Sequence, residues 1–567
     1  MISTPSTRQV SNPSTSAARP PLIAIGLDAG DPVLVQRWME AGHLPTLSRL
    51  RQQGSYGKIN GLRHYKAETP WNTCLTGVVP QTNGYWGEIK IRPGTYEIED
   101  IQAYDFQEYP PFYALGNRYR VAVFDPPKAR IHEQVNGQQM LAWGAHSPST
   151  PRASAPPELF EQVESQFGPH PTFRKDHGDW WQGDYLRWLR RELAEGIRRR
   201  SAICKDWLQQ ERWDLFFTVF GETHSAGHDF HFISDPNHPL YSERARFFPD
   251  EDPLLETYKE VDRGIHQILE AAPSDANIVV FSLHGSDVNT TDVPAMFFLA
   301  EFLYRFSFPG EPGRLAVGNP ERPVPPPSLT PGNSTWCGEV WKQQYDSRPL
   351  RRLLRRHIPS EQIDRWFGSA HKTPLSSLEL QRQSGDPFFW QPISWYRPLW
   401  PEMQAFALPS FSEGYIRINL QGREPQGKVA PQDYDRVCSE ITQALEELRN
   451  PRNGLPVVKD VTRTRQTPNE QNPYQSDADL IVEWSDPPTD VIESPRVGRI
   501  GPVPFRRTGS HRPRGFMIAQ GPDIEPGSSL PTGNQVDVPV TLLSLMNAPI
   551  ASHLEGQSLV QTVSSQA

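Results

Sequence analysis

Short apolar runs that stop abruptly at an acid, a histidine or a glycine recur along this chain, and they restrict its fold more than any other feature. Leu22–Leu27 (LIAIGL) stops at Asp28, and Tyr119–Phe124 stops at Asp125. Asp214–Phe220 (DLFFTVF) runs into GETHSAGH, and Ile278–Ser282 (IVVFS) runs into LHGSD. Phe516–Ala519 (FMIA) follows GSHRPR. Runs this short and this uniformly apolar fit strands buried on both faces, as in a parallel sheet. After the first run, Leu34, Trp38, Leu44, Leu47 and Leu50 form the apolar positions of an amphipathic segment, read as one helix. Strands alternating with such helices predict an α/β fold, an αβα sandwich around a central, mostly parallel sheet.

With 567 residues, the chain exceeds what one hydrophobic core normally serves. The regular pattern weakens from Leu299 to Glu413, so we expect a discontinuous core of 21–298 and 414–563 with 299–413 inserted. EGYIRINLQGREPQGKV reads as a hairpin or strand pair, and YDRVCSEITQALEELR as an amphipathic helix. Residues 1–20 are polar and rich in Ser, Thr and Pro, without the apolar stretch of a signal peptide, and are expected to be a disordered leader. A net charge of −9 provides no basic footprint for nucleic acid and no attraction to anionic membranes. No window approaches the roughly 18 apolar residues of a spanning helix. The four cysteines are scattered, which fits a reducing, cytoplasmic setting.

The chemistry-bearing residues gather at the ends of the apolar runs, where open α/β sheets place their sites. His224 and His228 lie four residues apart and so share one helical face, as two ligands of one ion must. His284 and His511 each sit beside a Gly and a Ser, which permit close backbone approach. Zinc is the natural guest of such imidazoles. AETPWNTCLTG, residues 67–77, reads as the turn that would carry a nucleophile. Glu68 and Thr69 are its reactive side chains, although Thr69 and Pro70 also spell an ordinary helix start. His146, His177 and Asp262 are weaker pocket candidates, and AYDFQEYPPFYALG offers aromatic stacking or plain core packing.

The ordered series IAIGLDAGDP, WNTCLTGVVPQTNGYWG, GETHSAGH, VVFSLHG, TGSHRPRGFMIAQGPDI and VDVPVTLLSLMNAPIASHLEGQSL resembles the type I phosphodiesterase/nucleotide pyrophosphatase family of the alkaline phosphatase superfamily. The resemblance spans nearly everything after the leader. It implies an alkaline-phosphatase-like αβα sandwich with two adjacent metal sites, usually zinc, flanking a Ser or Thr that attacks phosphorus. One implied site maps onto His224, His228 and His511, with His224 in place of the family's aspartate. The second maps onto Asp28 and His284, but its other acid is Leu283 and the nucleophile position is Ala67. Asn72 and Arg423 become candidate substrate contacts, Arg423 either on a phosphate or in an ion pair.

Three readings of the altered half-site stay open. Thr69 supplies the hydroxyl and Glu68 the missing carboxylate; or an activated water attacks directly, with Glu68 or Glu222 as general base; or hydrolysis has given way to another activity. The expected function is metal-dependent hydrolysis of a phosphate ester or phosphodiester, possibly nucleotide-like. Zinc occupies one site and manganese is an alternative, with the second site in question. The alternative is an altered family member that transfers a group or binds a ligand. The expected partner is a small molecule, with no nucleic acid and no membrane.

Overall fold

The computed structural model describes residues 20–560 apart from 102, 145–149, 177–180, 312, 315–318, 330–347, 355–357, 359, 369–387, 389–390, 469, 471, 506 and 523. Nearly all of the expected leader, His146, His177 and much of 299–413 therefore lie outside the described residues. A nine-stranded sheet organises the chain. Its order is Gly533–Asn534, Ser55–Asn60, Arg514–Gln520, Asn277–Ser282, Leu22–Leu27, Leu215–Phe220, Gly116–Phe124, Val135–Leu141 and Ala153–Ala155. The five strands from Asn277–Ser282 to Val135–Leu141 are mutually parallel, as their apolar runs require.

Alternation along the central strand shows the layers directly. Ile23, Ile25 and Leu27 enter one apolar cluster with helix residues Leu193, Ile197 and Ile265. Leu22 and Ala24 enter another with Trp71, Leu75 and Leu542. Both faces of the sheet are thus covered by helices, giving an αβα sandwich.

Three sequence expectations change. The Leu34–Leu50 segment is two helices, Pro32–Glu40 and Pro45–Gln53. Gly42, at φ 77°, takes a left-handed turn between them, and Pro45 starts the second. The FMIA run is the middle of Arg514–Gln520, which pairs antiparallel with both its neighbours. The EGYIRI segment makes no hairpin with the residues after it. Gly414–Ile418 pairs with Ala405–Leu408 and Leu480–Trp484, in a separate antiparallel sheet completed by Val458–Arg463. Leu420 and Glu424 instead close a tight turn through a 3.0 Å backbone hydrogen bond. The YDRVCSEITQALE run is a helix, Tyr434–Glu446. Among the described residues, no helix is long and apolar enough to cross a membrane.

Candidate metal centre and the altered half-site

The strand Leu215–Phe220 delivers the chain into the helix Glu222–Ser234, here called the histidine helix, at the carboxyl edge of the sheet. His224 and His228 project from one face of it, with ring centroids 4.5 Å apart. The third imidazole comes from the short strand Gly509–Arg512, which pairs with Gly285–Val288 so that Ser286 faces His511. Two glycines let this strand reach the helix. A Cβ on Gly509 would lie 2.1 Å from the carbonyl oxygen of Gly227, so no larger residue fits without separating them.

One ring nitrogen from each of His224, His228 and His511 lies within 4.8 Å of the other two, and all three residues are buried. His228 Nε2 is 3.2 Å from His511 Nε2. Two nitrogens about 2.05 Å from a tetrahedral zinc stand roughly 3.3 Å apart, so this pair is already at ligand spacing. His228 Nδ1 faces the carbonyl of Gly509, a pure acceptor, which places the ring proton on Nδ1 and leaves Nε2 as the electron-pair donor. Arg507 Nη2 donates to that same Nε2. One lone pair serves either the guanidinium or a metal, so the group fits a metal on condition that Arg507 gives way.

The other half-site is built differently. Asp28, directly after the first strand, accepts from Trp71 Nε1 at 2.7 Å and lies 3.5 Å from His284 Nε2. Burial and the nearby Lys128 charge push His284 down to about 3, so it is neutral at ordinary pH. The His284 ring lies 4.7 Å from that of His511, which brings the two half-sites together. Leu283 is fully buried in the apolar cluster of Trp71, Cys74 and Phe281. Glu68 does not join Asp28 and His284 in a group of three close ligand atoms.

Glu68 and Thr69 occupy the turn before the helix Pro70–Thr76. Thr69 is completely buried, and its hydroxyl donates to Tyr65 O at 2.9 Å. The Glu68 carboxylate accepts from Phe411 N at 2.9 Å, Ser412 Oγ at 2.8 Å and Tyr415 Oη at 3.2 Å. Burial and the neighbouring Glu413 push it up to about 7, against those hydrogen bonds and the Lys128 charge. Lys128 Nζ in turn donates to Glu68 O at 3.1 Å and pairs with Glu88 at 2.6 Å. Asn72 is buried and accepts from Asn83 Nδ2 at 2.9 Å.

Other sequence candidates have structural partners. Arg423 forms a bidentate pair with Asp479, at 2.8 and 2.6 Å, and a further contact with Glu424. Asp262 accepts from Thr46 N and Leu47 N, capping the helix Pro45–Gln53. Glu222 is no base. Against the effect of burial, the Arg200 charge and the His170 hydrogen bond hold it down to about 2. Arg200, His170, Arg507 and Lys128 were not singled out in the sequence. Only Arg507 carried a visible signal, as a basic residue shortly before His511.

The family model for type I phosphodiesterase / nucleotide pyrophosphatase matches residues 22–305. Phosphonoacetate hydrolase from Sinorhizobium meliloti 1021 is similar to the chain at 13% identity and a TM-score of 0.45, covering 94% of this chain and 96% of that one. Murine ectonucleotide pyrophosphatase / phosphodiesterase 5 is similar at 11% identity and a TM-score of 0.45, with the same coverages, 94% and 96%. No curated protein sequence matches the chain.

Proposed function

The chain belongs to the type I phosphodiesterase / nucleotide pyrophosphatase family, and from that premise we propose that it is a metal-dependent hydrolase of a phosphate ester or phosphodiester. The observation that carries this reading is the convergence of His224, His228 and His511, with two ring nitrogens 3.2 Å apart. A zinc held by these three would supply Lewis acidity toward a phosphoryl oxygen and lower the pKa of water. Manganese would serve the same purpose less tightly, because it favours oxygen ligands.

The chain's own residues divide the remaining work. Thr69 is an unsuitable attacking group here, because its hydroxyl is buried and engaged with Tyr65 O. We therefore favour attack by water over a covalent intermediate on Thr69. Glu68, raised to about 7, is matched to accepting a proton near neutral pH. Arg507, freed from His228 when that nitrogen takes a metal, would neutralise a phosphoryl oxygen. Asp28 and His284 orient the substrate or hold a second ion, and Asn72 offers an amide from the helix at Pro70–Thr76. The test is turnover of an aryl phosphodiester by purified protein supplied with zinc or manganese. Lack of both bound metal and turnover refutes the reading.

Two further results are expected. Glu68→Gln should lower kcat/KM by about 100-fold or more and remove a limb near pH 7 from its pH profile. An unchanged limb would take the proton away from Glu68. The folded pKa of about 7 lies above the ordinary 4.5, so this group's stabilising effect is full below 4.5 and fades as pH rises through about 7. The glutamine variant should lack that slope. Gly509→Ala should weaken zinc binding by about tenfold or more, by pushing the His511 strand off the histidine helix. Calorimetric titration of the folded variant checks this.

The second reading, group transfer or ligand binding, is favoured by the apolar burial of Leu283 and by Ala67. It predicts that labelled water oxygen does not enter the phosphate product.

A further inference from the structure

The histidine helix carries a second set of ligand atoms centred about two turns beyond the first. His224, His228, His231 and Asp235 follow the spacing of a single helical face. His231 and Asp235 form a close group with Asp287 from the strand Gly285–Val288. His231 Nε2 lies 4.0 Å from Asp235 Oδ2 and 3.5 Å from Asp287 Oδ1. The opposite oxygen of each carboxylate is already engaged. Asp235 Oδ1 accepts from Asn237 N, and Asp287 Oδ2 accepts from Arg514 Nη2. The other oxygen of each carboxylate is the one nearer His231; on Asp287 that oxygen, Oδ1, also accepts from Val288 N at 2.8 Å, which leaves it one further lone pair. The imidazole itself is 3% exposed, and neither of its nitrogens has a hydrogen-bond partner among the described residues.

We propose that His231, Asp235 and Asp287 form a separate divalent-cation site that ties the end of the histidine helix to the strand Gly285–Val288. One nitrogen and two carboxylate oxygens suit zinc or manganese. The two carboxylate side chains are 26% and 34% exposed, so water can complete the shell. The last turn of a helix is the negative end of its dipole, which favours a cation there.

Arg512 and Arg514 oppose the ion, at 3.8 and 2.9 Å from Asp287 Oδ2. Arg514 is also paired with Asp31 at 2.8 Å, so its charge is shared between two carboxylates. The two groups of ligands are centred about seven residues apart on the helix, which is roughly 10 Å of rise. Paired catalytic ions stand about 3.5–4 Å apart. The second ion is therefore structural and does not replace the family's second catalytic metal.

The test is metal stoichiometry by elemental analysis on full-length protein equilibrated with zinc and desalted, for wild type, His231→Ala, Asp235→Asn and His511→Ala. The site predicts one zinc fewer in His231→Ala and in Asp235→Asn, with aryl phosphodiester turnover retained. His511→Ala should keep the zinc that these two lose. Unchanged stoichiometry in both His231→Ala and Asp235→Asn overturns the site, as does wild type without zinc. A single zinc lost with His511→Ala alone overturns it while leaving the hydrolase reading intact. A single zinc lost with His231→Ala and Asp235→Asn supports it even if no phosphodiester is cleaved.

Discussion

Replacing His511 with alanine is expected to reduce kcat/KM for an aryl phosphodiester by about a thousandfold and to weaken zinc binding at the His224/His228 group by more than tenfold. The reasoning starts from geometry. His224 and His228 belong to one helix, so they hold an ion from one side only, and His511 closes the group from a different strand. With two ligands on one face, an ion has no fixed third position from which to meet substrate. Lewis-acid assistance is worth several kcal/mol in a transition state, and about 4 kcal/mol corresponds to about a thousandfold in rate. The substitution removes a ring packed against those of His224 and His284, at 4.9 and 4.7 Å, so some stability will be lost as well. Melting curves recorded without metal separate that packing cost from the loss of the ion. A fully active His511→Ala protein that has lost the zinc of this group would exclude that metal from catalysis. A protein of purely scaffolding role would show no change at all.

What the sequence revealed about this site follows from how locally each part is encoded. The strands were legible because a run such as Ile23-Ala24-Ile25-Gly26-Leu27 buries both faces and can only lie inside a sheet. Their direction was not. Phe516–Ala519 reads identically in either orientation, and it runs antiparallel. The His224/His228 pair was legible through its spacing, since four residues on a helix fix a common face. Arg200 could not be distinguished from its neighbours, because Arg198 and Arg199 beside it have the same chemistry but face outward to Glu195. Burial alone distinguishes Arg200, and burial depends on Asp125 and Glu222 from other segments. Glu68 was identifiable as an acid in a loop where a partner would be needed. Its proton affinity was not, because Glu413 and Ser412 lie more than 300 residues away in sequence.

Arg200→Met is expected to cost about 3–5 kcal/mol of folding stability, the usual effect of stripping one partner from a buried ion pair. Arg200 is fully buried, pairing with Asp125 at 2.9 Å and Glu222 at 3.0 Å, while His170 Nε2 sits 3.0 Å from the same Glu222. Methionine matches much of the lost volume, so the deficit comes from two carboxylates left without their cation. The pH dependence identifies it. Glu222 is held at about 2 against an ordinary 4.5, so its stabilising effect is full above about 4.5 and disappears as pH falls through about 2, a difference of about 3 kcal/mol. Burial already raises Asp125 in the wild type despite Arg200, so the loss of stability in acid comes from Glu222; without Arg200 burial raises both, and the folded variant takes up protons before the unfolded chain does. Acid therefore withdraws the Glu222 contribution from the wild type while it relieves both carboxylates of the variant, and the gap between them should narrow between pH 5 and pH 3. Urea unfolding at several pH values measures it. A gap independent of pH would mean that packing, and not charge, accounts for the cost. The same network anchors the first turn of the histidine helix through Glu222, two residues before His224. At pH 7 the variant should therefore also bind zinc more weakly, although Arg200 touches none of the three histidines.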